Sequence, residues 1–217
     1  MNKRNNIFLI LSPIALLLLT KLGIYFTQEI CSKSVSWIIA FTFYYFFIFL
    51  IWFIAEKKFK ISFKDLFKHK FKPLPKIKLL ILGILLPSLL PFGVFIQHAD
   101  QVNFIFFIYI LIFSIINAPI EEIFWRGLLS NLPFKKWGVI IYTSALFGFS
   151  HYLLWDYWFE KPMIVIPTVI STTIMGILWM WFLKTDGRIK YPILSHIVVD
   201  ILNLSVPIFS GTIIFNF

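Results

Sequence analysis

Long apolar runs separated by short polar joints make up most of this 217-residue chain. A helix needs about 20 apolar residues to cross the hydrocarbon core of a bilayer, and the runs have this length. They show no strand-type alternation and are too long for barrel strands, so helices are the only way to satisfy their backbone in lipid. The pattern predicts an all-α, polytopic transmembrane helix bundle of about seven spans. We expect these spans near residues 7–28, 35–55, 77–97, 103–130, 137–155, 162–183 and 191–210.

Composition supports the same class. Hydrophobic residues make up 59% of the chain and charged residues 14%, which excludes a water-soluble single domain. We expect one integral membrane domain over residues 1–217, multi-pass in the cell membrane, with a core that carries the polar motifs at about 103–210. The basic Lys3-Arg4 resembles the start of a secretory signal, but no small-residue cleavage site follows, so an uncleaved first span is predicted. The single Cys31 excludes an intrachain disulfide and a cysteine metal cage.

The net charge of +10 is unevenly distributed, which argues against nucleic acid as a partner. Nine lysines fall in the joint from Lys57 to Lys78, with phenylalanines interleaved among them. With a cytoplasmic N-terminus, 17 of the 20 basic residues lie on the inner side when Arg126 is counted with the joint that it precedes. The positive-inside bias therefore predicts an N-in, C-out topology. The basic joint is predicted to be an amphipathic segment on a lipid bilayer with an anionic cytoplasmic leaflet.

Three polar clusters interrupt the apolar spans. An ionisable residue at bilayer depth costs about 2.5–3.5 kcal/mol on insertion scales, so several of them need a shared reason to be there. Pairing around a reactive site is such a reason. The clusters are Glu121-Glu122-Ile-Phe-Trp-Arg126, Phe147-Gly-Phe-Ser-His151 and His196-Ile-Val-Val-Asp200.

Helical spacing assigns different partners to these side chains. Glu122 and Arg126 stand four residues apart on one helix face and are predicted to form an ion pair. Glu121 points about 100° away from Glu122 and is expected to face another helix. His196 and Asp200 also share one face, so both side chains can act on one bound atom. A purely structural reading, in which the two glutamates only lock helices together, stays open.

Two histidines and three acids on neighbouring spans suit the activation of water. A carboxylate can take the proton of the water while another group supports the oxyanion that forms at an attacked carbonyl. In order and spacing, the three clusters resemble the signature motifs of the CAAX prenyl protease type II family, also called CPBP or Abi-type intramembrane proteases, over residues 105–205. The resemblance implies an intramembrane endopeptidase. It implies water activation by Glu121 with help from His151, oxyanion stabilisation by His196, and support from Glu122 and Arg126.

Asp200 departs from the eukaryotic pattern of this family, which has asparagine at that position. An ionised aspartate would repel an oxyanion, so Asp200 must be protonated, orient His196 or face a cation. The last option favours a Zn²⁺ site, with Glu121, His151, His196 and Asp200 as tentative ligands. The resemblance is compatible with a metalloprotease and with a metal-free glutamate protease, and the acid at position 200 favours the metal.

Other chemistries and roles are weighed against this one. Ser150 and Ser195 each precede a histidine, but neighbouring residues on a helix diverge too far to form a dyad with each other. Four tryptophans near span ends are predicted to be interfacial belt residues: Trp155, Trp158, Trp179 and Trp181. The expected partner is a peptide or membrane-protein substrate. The alternative is a non-catalytic membrane protein of the same fold, for example a bacteriocin immunity or scaffold factor that binds a peptide or a membrane partner.

Overall fold

The chain is described by a computed structural model that covers residues 3–61, 75–155 and 162–203. These residues form helices, and no strand occurs among them. The predicted all-α fold is confirmed. The helices are α1 Lys3–Gln28, α2 Lys33–Phe59, α3 Lys76–Leu80, α4 Leu86–His98, α5 Phe104–Glu122, α6 Lys136–Trp155, α7 Pro162–Asp186 and α8 Lys190–Leu202.

Within the described residues, six helical stretches are long and apolar enough to cross a membrane, so the chain is a multi-pass membrane protein. The stretches are Lys3–Gln28, Val35–Phe59, Lys76–Gln101, Phe104–Asn131, Lys136–Leu154 and Val165–Asp186. The third joins α3 and α4 through a π-helical turn, so the helices form seven units along the chain. Each stretch matches one of the first six predicted spans.

The seventh predicted span corresponds to α8. Its 13 residues rise only about 20 Å, which is short of the hydrocarbon thickness. Residues 204–210 of that predicted span lie outside the described residues, as do residues 62–74 of the basic joint. The N-in, C-out orientation and the interfacial role of the basic joint stay predictions.

The helix that carries the glutamate pair is irregular on both sides of it. Pro119 lies two residues before Glu121 and removes one backbone donor from the helix. A π-helical turn, Ile123–Leu128, follows Glu122 directly and leads into a 3₁₀ turn, Leu129–Asn131. Turns of the π type inside α-helices occur frequently at functional sites because they redirect side chains. The backbone therefore changes its winding where the polar side chains are displayed.

α6 and α7 make the most extensive helix pair and approach closely at small residues. A side chain added at Gly148 would lie 1.8 Å from Thr173 Oγ1 and 2.9 Å from the Val169 carbonyl oxygen. A Cβ added at Gly176 would lie 3.1 Å from Cβ of Ser144. Small residues at helix crossings are typical of membrane proteins, since packing and not the hydrophobic effect drives helix association in lipid. This tight pair holds the helix of His151 next to α7.

α8 packs against α5 and α4, and the connection that leads into it lies inside the bundle. Asp186 and Ile189 are 0% and 1% exposed. Arg188 donates Nη2–H to Asp186 at 2.8 Å and forms a second hydrogen bond through Nε, which closes the connection on itself. Because this connection is buried, it fixes the start of α8 against the rest of the bundle.

Candidate active site

The structure brings the first and third clusters together. Glu121 and Glu122 end α5, Arg126 lies in the following π turn, and His196 and Asp200 lie on α8. All five side chains belong to residues that are at most 6% exposed. Such burial of charged groups requires mutual pairing, because an isolated buried charge is strongly unfavourable.

Glu122 anchors two cationic or proton-bearing partners with one oxygen. Its Oε1 lies 2.9 Å from Arg126 Nη1, which confirms the predicted i,i+4 ion pair. The same oxygen lies 2.8 Å from His196 Nδ1. An ionised carboxylate can only accept, so His196 donates Nδ1–H to it. Glu122 therefore fixes the ring orientation of His196, a role that helical spacing alone did not predict.

The other ring nitrogen of His196 faces two acids. His196 Nε2 lies 3.4 Å from Asp200 Oδ1 and 3.6 Å from Glu121 Oε2. The prediction that Glu121 faces another helix is confirmed. With a proton on Nε2 the ring is an imidazolium between two carboxylates, and without it one acid must carry that proton to face the ring nitrogen. Nε2, Glu121 and Asp200 thus form a cluster in which one proton can move over short distances.

Aromatic rings enclose the arginine and the histidine. The Arg126 guanidinium carbon lies 4.0 Å from the centre of the Phe147 ring and 4.9 Å from that of Trp179. Trp179 stacks on His196 with ring centres 4.7 Å apart and an angle of 24° between planes. It also donates Nε1–H to Ser195 Oγ at 2.9 Å. Cation–π contacts strengthen in a desolvated setting, so the rings contribute to holding both groups.

The belt interpretation of Trp179 is therefore wrong. This residue is 1% exposed, and its ring stacks on that of His196 in the site. Trp181 is half-buried and packs against the main apolar core. Trp158 and the side chain of Trp155 lie outside the described part of the chain.

His151 joins the cluster through Phe147. The Phe147 ring lies edge-on to both histidines, with ring centres 4.9 Å from His151 and 6.2 Å from His196. His151 Nδ1 lies 2.8 Å from the Phe147 carbonyl oxygen. A carbonyl only accepts, so Nδ1 carries the hydrogen and Nε2 is the nitrogen that can take a proton. His151 is half-buried, which makes it the most exposed of the six predicted site residues.

Simple vertical spans predict a large depth difference between the two histidines, since His151 lies about 21 Å and His196 about 8 Å along their helices from the inner ends. Both nevertheless contact one phenylalanine ring. The packing of α6 and α8 therefore departs from simple vertical spans and brings the three clusters together.

The structure also shows how Ser150 and the neighbouring His151 are arranged. Ser150 Oγ does lie 3.3 Å from His151 Nδ1, contrary to the expected divergence. However, Ser150 donates its hydroxyl to the Phe147 carbonyl at 2.6 Å, and His151 Nδ1–H points to the same oxygen. Because Nδ1 already carries a hydrogen, it cannot take the serine proton. This contact does not activate a nucleophile.

Several residues of the site were missed by the sequence analysis. Tyr44 accepts a hydrogen bond from Trp125 Nε1 at 2.7 Å and interacts electrostatically with Glu121. Tyr45 donates to Asn117 Oδ1 at 2.8 Å, and Asn117 Nδ2 donates to Asp200 Oδ2 at 3.0 Å. Signals for them exist in the sequence. The two tyrosines lie mid-span on α2 and not in an interfacial belt, and Asn117 precedes Glu121 by one helical turn.

The tentative zinc ligands do not form a recognisable metal site. Among the described residues, no three side chains of His, Cys, Asp and Glu are grouped so that they could hold a metal ion. His196 Nδ1 is engaged by Glu122, and His151 Nδ1 by a backbone carbonyl. This leaves Nε2 of each histidine as the nitrogen that a zinc ion would bind, with each Nδ1–H held by a carboxylate or a carbonyl, as is usual for histidine ligands of zinc. Zinc dependence stays a prediction.

The fold and this cluster define a class: a polytopic helical membrane protein with a buried acid–histidine–arginine site suited to hydrolysis. Residues 103–202 match the family model described as "Type II CAAX prenyl endopeptidase Rce1-like". The family resemblance predicted from the three motifs is confirmed, and the matched segment contains all six predicted site residues. Because the family is one of proteases, the match supports a membrane protease at the level of class. No curated protein and no solved structure matches the chain.

Proposed function

We propose that this protein is an intramembrane endopeptidase that hydrolyses a peptide bond of a peptide or membrane-protein substrate at or within the membrane. One observation supports this most directly: His196 presents Nε2 to Glu121 and Asp200, while Glu122, paired with Arg126, holds its other nitrogen. The site thus separates a fixed ion-pair scaffold from a mobile proton. General acid–base catalysis requires such a division between positioned groups and a transferable proton.

Glu121 is the proposed general base. It takes a proton from a water molecule as the water oxygen forms a bond to the carbonyl carbon of the substrate. The carbonyl π electrons move onto the oxygen, and the resulting oxyanion is supported by His196 Nε2–H. The proton held by Glu121 then passes to the leaving nitrogen, the C–N bond breaks, and a carboxylic acid and an amine are released; the acid then gives its proton to water. Donors aimed at an oxyanion in a desolvated site are usually the largest single contribution to such catalysis.

Asp200 and His151 are given supporting parts. Asp200 faces the imidazole and accepts from Asn117, so we assign it the orientation of His196 and only indirect support of the oxyanion. His151 has its acceptor nitrogen at Nε2 and is the most exposed member of the set, so it helps to position the attacking water on the side from which water enters. We place the protein in the cell membrane, as predicted from the sequence.

The test uses detergent-purified wild type, Glu121→Gln, His196→Ala and two matched controls with a quenched-fluorescence peptide library. Glu29→Gln is the control for the acid, because Glu29 is exposed at the end of α1. His98→Ala is the control for the histidine, because His98 lies at the end of α4, where its Nδ1 is 3.1 Å from Gln101 Nε2 in the neighbouring 3₁₀ turn. We expect cleavage by wild type and both controls, and loss by at least about 10²-fold in Glu121→Gln and His196→Ala.

Metal content is measured on the same samples. Zinc bound in stoichiometric amount to wild type and lost in His196→Ala would favour the metalloprotease alternative, whereas metal-independent cleavage favours water activated by glutamate alone. Unchanged cleavage in Glu121→Gln would overturn the proposed role of Glu121. If folded wild type cleaves no peptide, the immunity or scaffold alternative gains support, and binding of the peptide library becomes the relevant measurement.

A further inference from the structure

The matched segment begins at residue 103, yet the site contains side chains from α2. Tyr44 is fully buried, and Tyr45 is half-buried beside it. We propose that these two tyrosines are positioning residues for peptide hydrolysis, with Tyr44 holding Glu121 and Tyr45 holding Asp200 at the Nε2 edge of His196. This inference rests on the proposed function, and it assigns a catalytic contribution to the half of the chain outside the matched segment.

The first arm runs from Trp125 through Tyr44 to Glu121. Trp125 can only donate, so the Tyr44 oxygen accepts from Nε1 at 2.7 Å. The hydroxyl has one proton of its own, and in this arrangement that proton goes to Glu121, the acid with which Tyr44 interacts electrostatically. Glu121 is therefore held as an acceptor, which is the form that a general base requires. The direction of the arm follows from the donor-only chemistry of the indole ring.

The second arm runs from Tyr45 through Asn117 to Asp200. Tyr45 donates to Asn117 Oδ1 at 2.8 Å, which fixes which end of the amide is the oxygen. The amide nitrogen then donates to Asp200 Oδ2 at 3.0 Å. The other oxygen of Asp200, Oδ1, is the one that faces His196. Asn117 thus fixes the rotation of the Asp200 carboxylate, and Tyr45 fixes the rotation of Asn117.

Adjacent residues on α2 reach two different acids because they point about 100° apart around the helix. The packing of α2 on α5 sets this orientation. Phe41 meets Phe113 edge-on with ring centres 5.0 Å apart, and Trp37 meets the same ring at 6.1 Å. A 1 Å error in the position of a catalytic group can lower a rate by about 10²-fold, so arms that fix two carboxylates affect turnover and not only stability.

The experiment compares Tyr44→Phe and Tyr45→Phe with Tyr142→Phe in the full-length protein, using a peptide that wild type cleaves. Tyr142 donates its hydroxyl to the Ile10 carbonyl at 2.6 Å and joins α6 to α1 away from the site. The control therefore loses an interhelical hydrogen bond of similar kind. We expect kcat to fall about tenfold or more for Tyr44→Phe and about three- to tenfold for Tyr45→Phe, with KM within about twofold of wild type.

For Tyr142→Phe we expect kcat and KM both within about twofold of wild type, although its thermal midpoint falls as far as those of the site variants. This separates positioning from general stabilisation. Values of kcat for Tyr44→Phe and Tyr45→Phe that match the control would overturn the inference. A rise in KM without a fall in kcat would also overturn it, because that result indicates a role in substrate binding.

Failure of the proposed function is distinguishable from failure of the inference. If wild type cleaves no peptide, the proposed peptidase activity is wrong, and the arms are judged from thermal midpoints of Tyr45→Phe, Asn117→Ala and the double variant. Strongly non-additive losses would show that the second arm holds its acid, leaving a structural part of the inference standing. Additive losses would remove that part as well.

Discussion

Replacing Glu122 by Gln tests whether the buried ion pair is the scaffold of the site. Glu122 is 0% exposed, and its Oε1 contacts Arg126 and His196 at 2.9 and 2.8 Å. Glutamine keeps the shape and an acceptor but removes the negative charge, leaving a guanidinium that is 1% exposed without its direct counter-ion. Breaking a buried pair from one side costs about 3–5 kcal/mol, whereas an exposed pair contributes about 0–1 kcal/mol. We expect the free energy of unfolding to fall by about 3 kcal/mol, the lower end of that range, because the retained amide oxygen still accepts a hydrogen bond.

The assay is unfolding of the detergent-solubilised protein by added SDS, followed by far-ultraviolet circular dichroism. Glu56→Gln is the matched control, since Glu56 is exposed near the end of α2. Glu122→Gln combined with Arg126→Met removes both charges and should recover part of the loss, because no unpaired charge is left. A loss for Glu122→Gln within about 1 kcal/mol of the control would refute the scaffold argument. So would a double variant whose loss equals the sum of the single losses.

Three further predictions concern packing, stacking and the second acid. Gly148→Ala should destabilise the protein by about 1–3 kcal/mol in SDS unfolding, because its Cβ would overlap Thr173 and approach a backbone carbonyl. Gly93→Ala is the control, since nothing lies within 4 Å of a Cβ built there. Trp179→Phe keeps a ring over His196 but loses the hydrogen bond to Ser195, so SDS unfolding should show a loss of about 1 kcal/mol or more, and kcat should fall more than KM rises. Asp200→Asn should retain peptide cleavage within about tenfold of wild type, because the amide oxygen still accepts from Asn117; a loss as large as that of Glu121→Gln would contradict its positioning role.

The apolar pattern predicted the helices because membrane insertion is decided locally. A run of about 20 apolar residues spans the bilayer whatever its neighbours are, and the six stretches that the structure identifies match the first six predicted spans. The Glu122–Arg126 pair could also be predicted from the sequence, since a four-residue spacing places two side chains on one helix face regardless of the rest of the bundle. The π turn between them does not prevent the contact.

The hydrogen-bonded arms from α2 could not be predicted from the sequence in the same way. Tyr45 and Asn117 are 72 residues apart, and Asn117 and Asp200 are 83 residues apart. Such contacts depend on which helices pack together and at what height, and neither follows from the composition of one helix. The prediction that Trp179 is an interfacial belt residue failed for the same reason. Its position near a span end indicated the interface, whereas the packing of α8 on the bundle places His196 against it.

The two adjacent glutamates show how one short motif can supply both a scaffold and a reactive group. The side chain of Glu122 points to Arg126 and to His196 Nδ1, and its Oε1 contacts both. These contacts favour the ionised carboxylate and hold it in place. The direction of Glu121, about 100° away, leads to Tyr44 and to His196 Nε2 at 3.6 Å, longer than a hydrogen bond. A gap of this size leaves the carboxylate able to exchange one partner for another during a reaction. The same imidazole is therefore fixed through one nitrogen and kept available through the other, and the chemistry that we propose takes place on the available side.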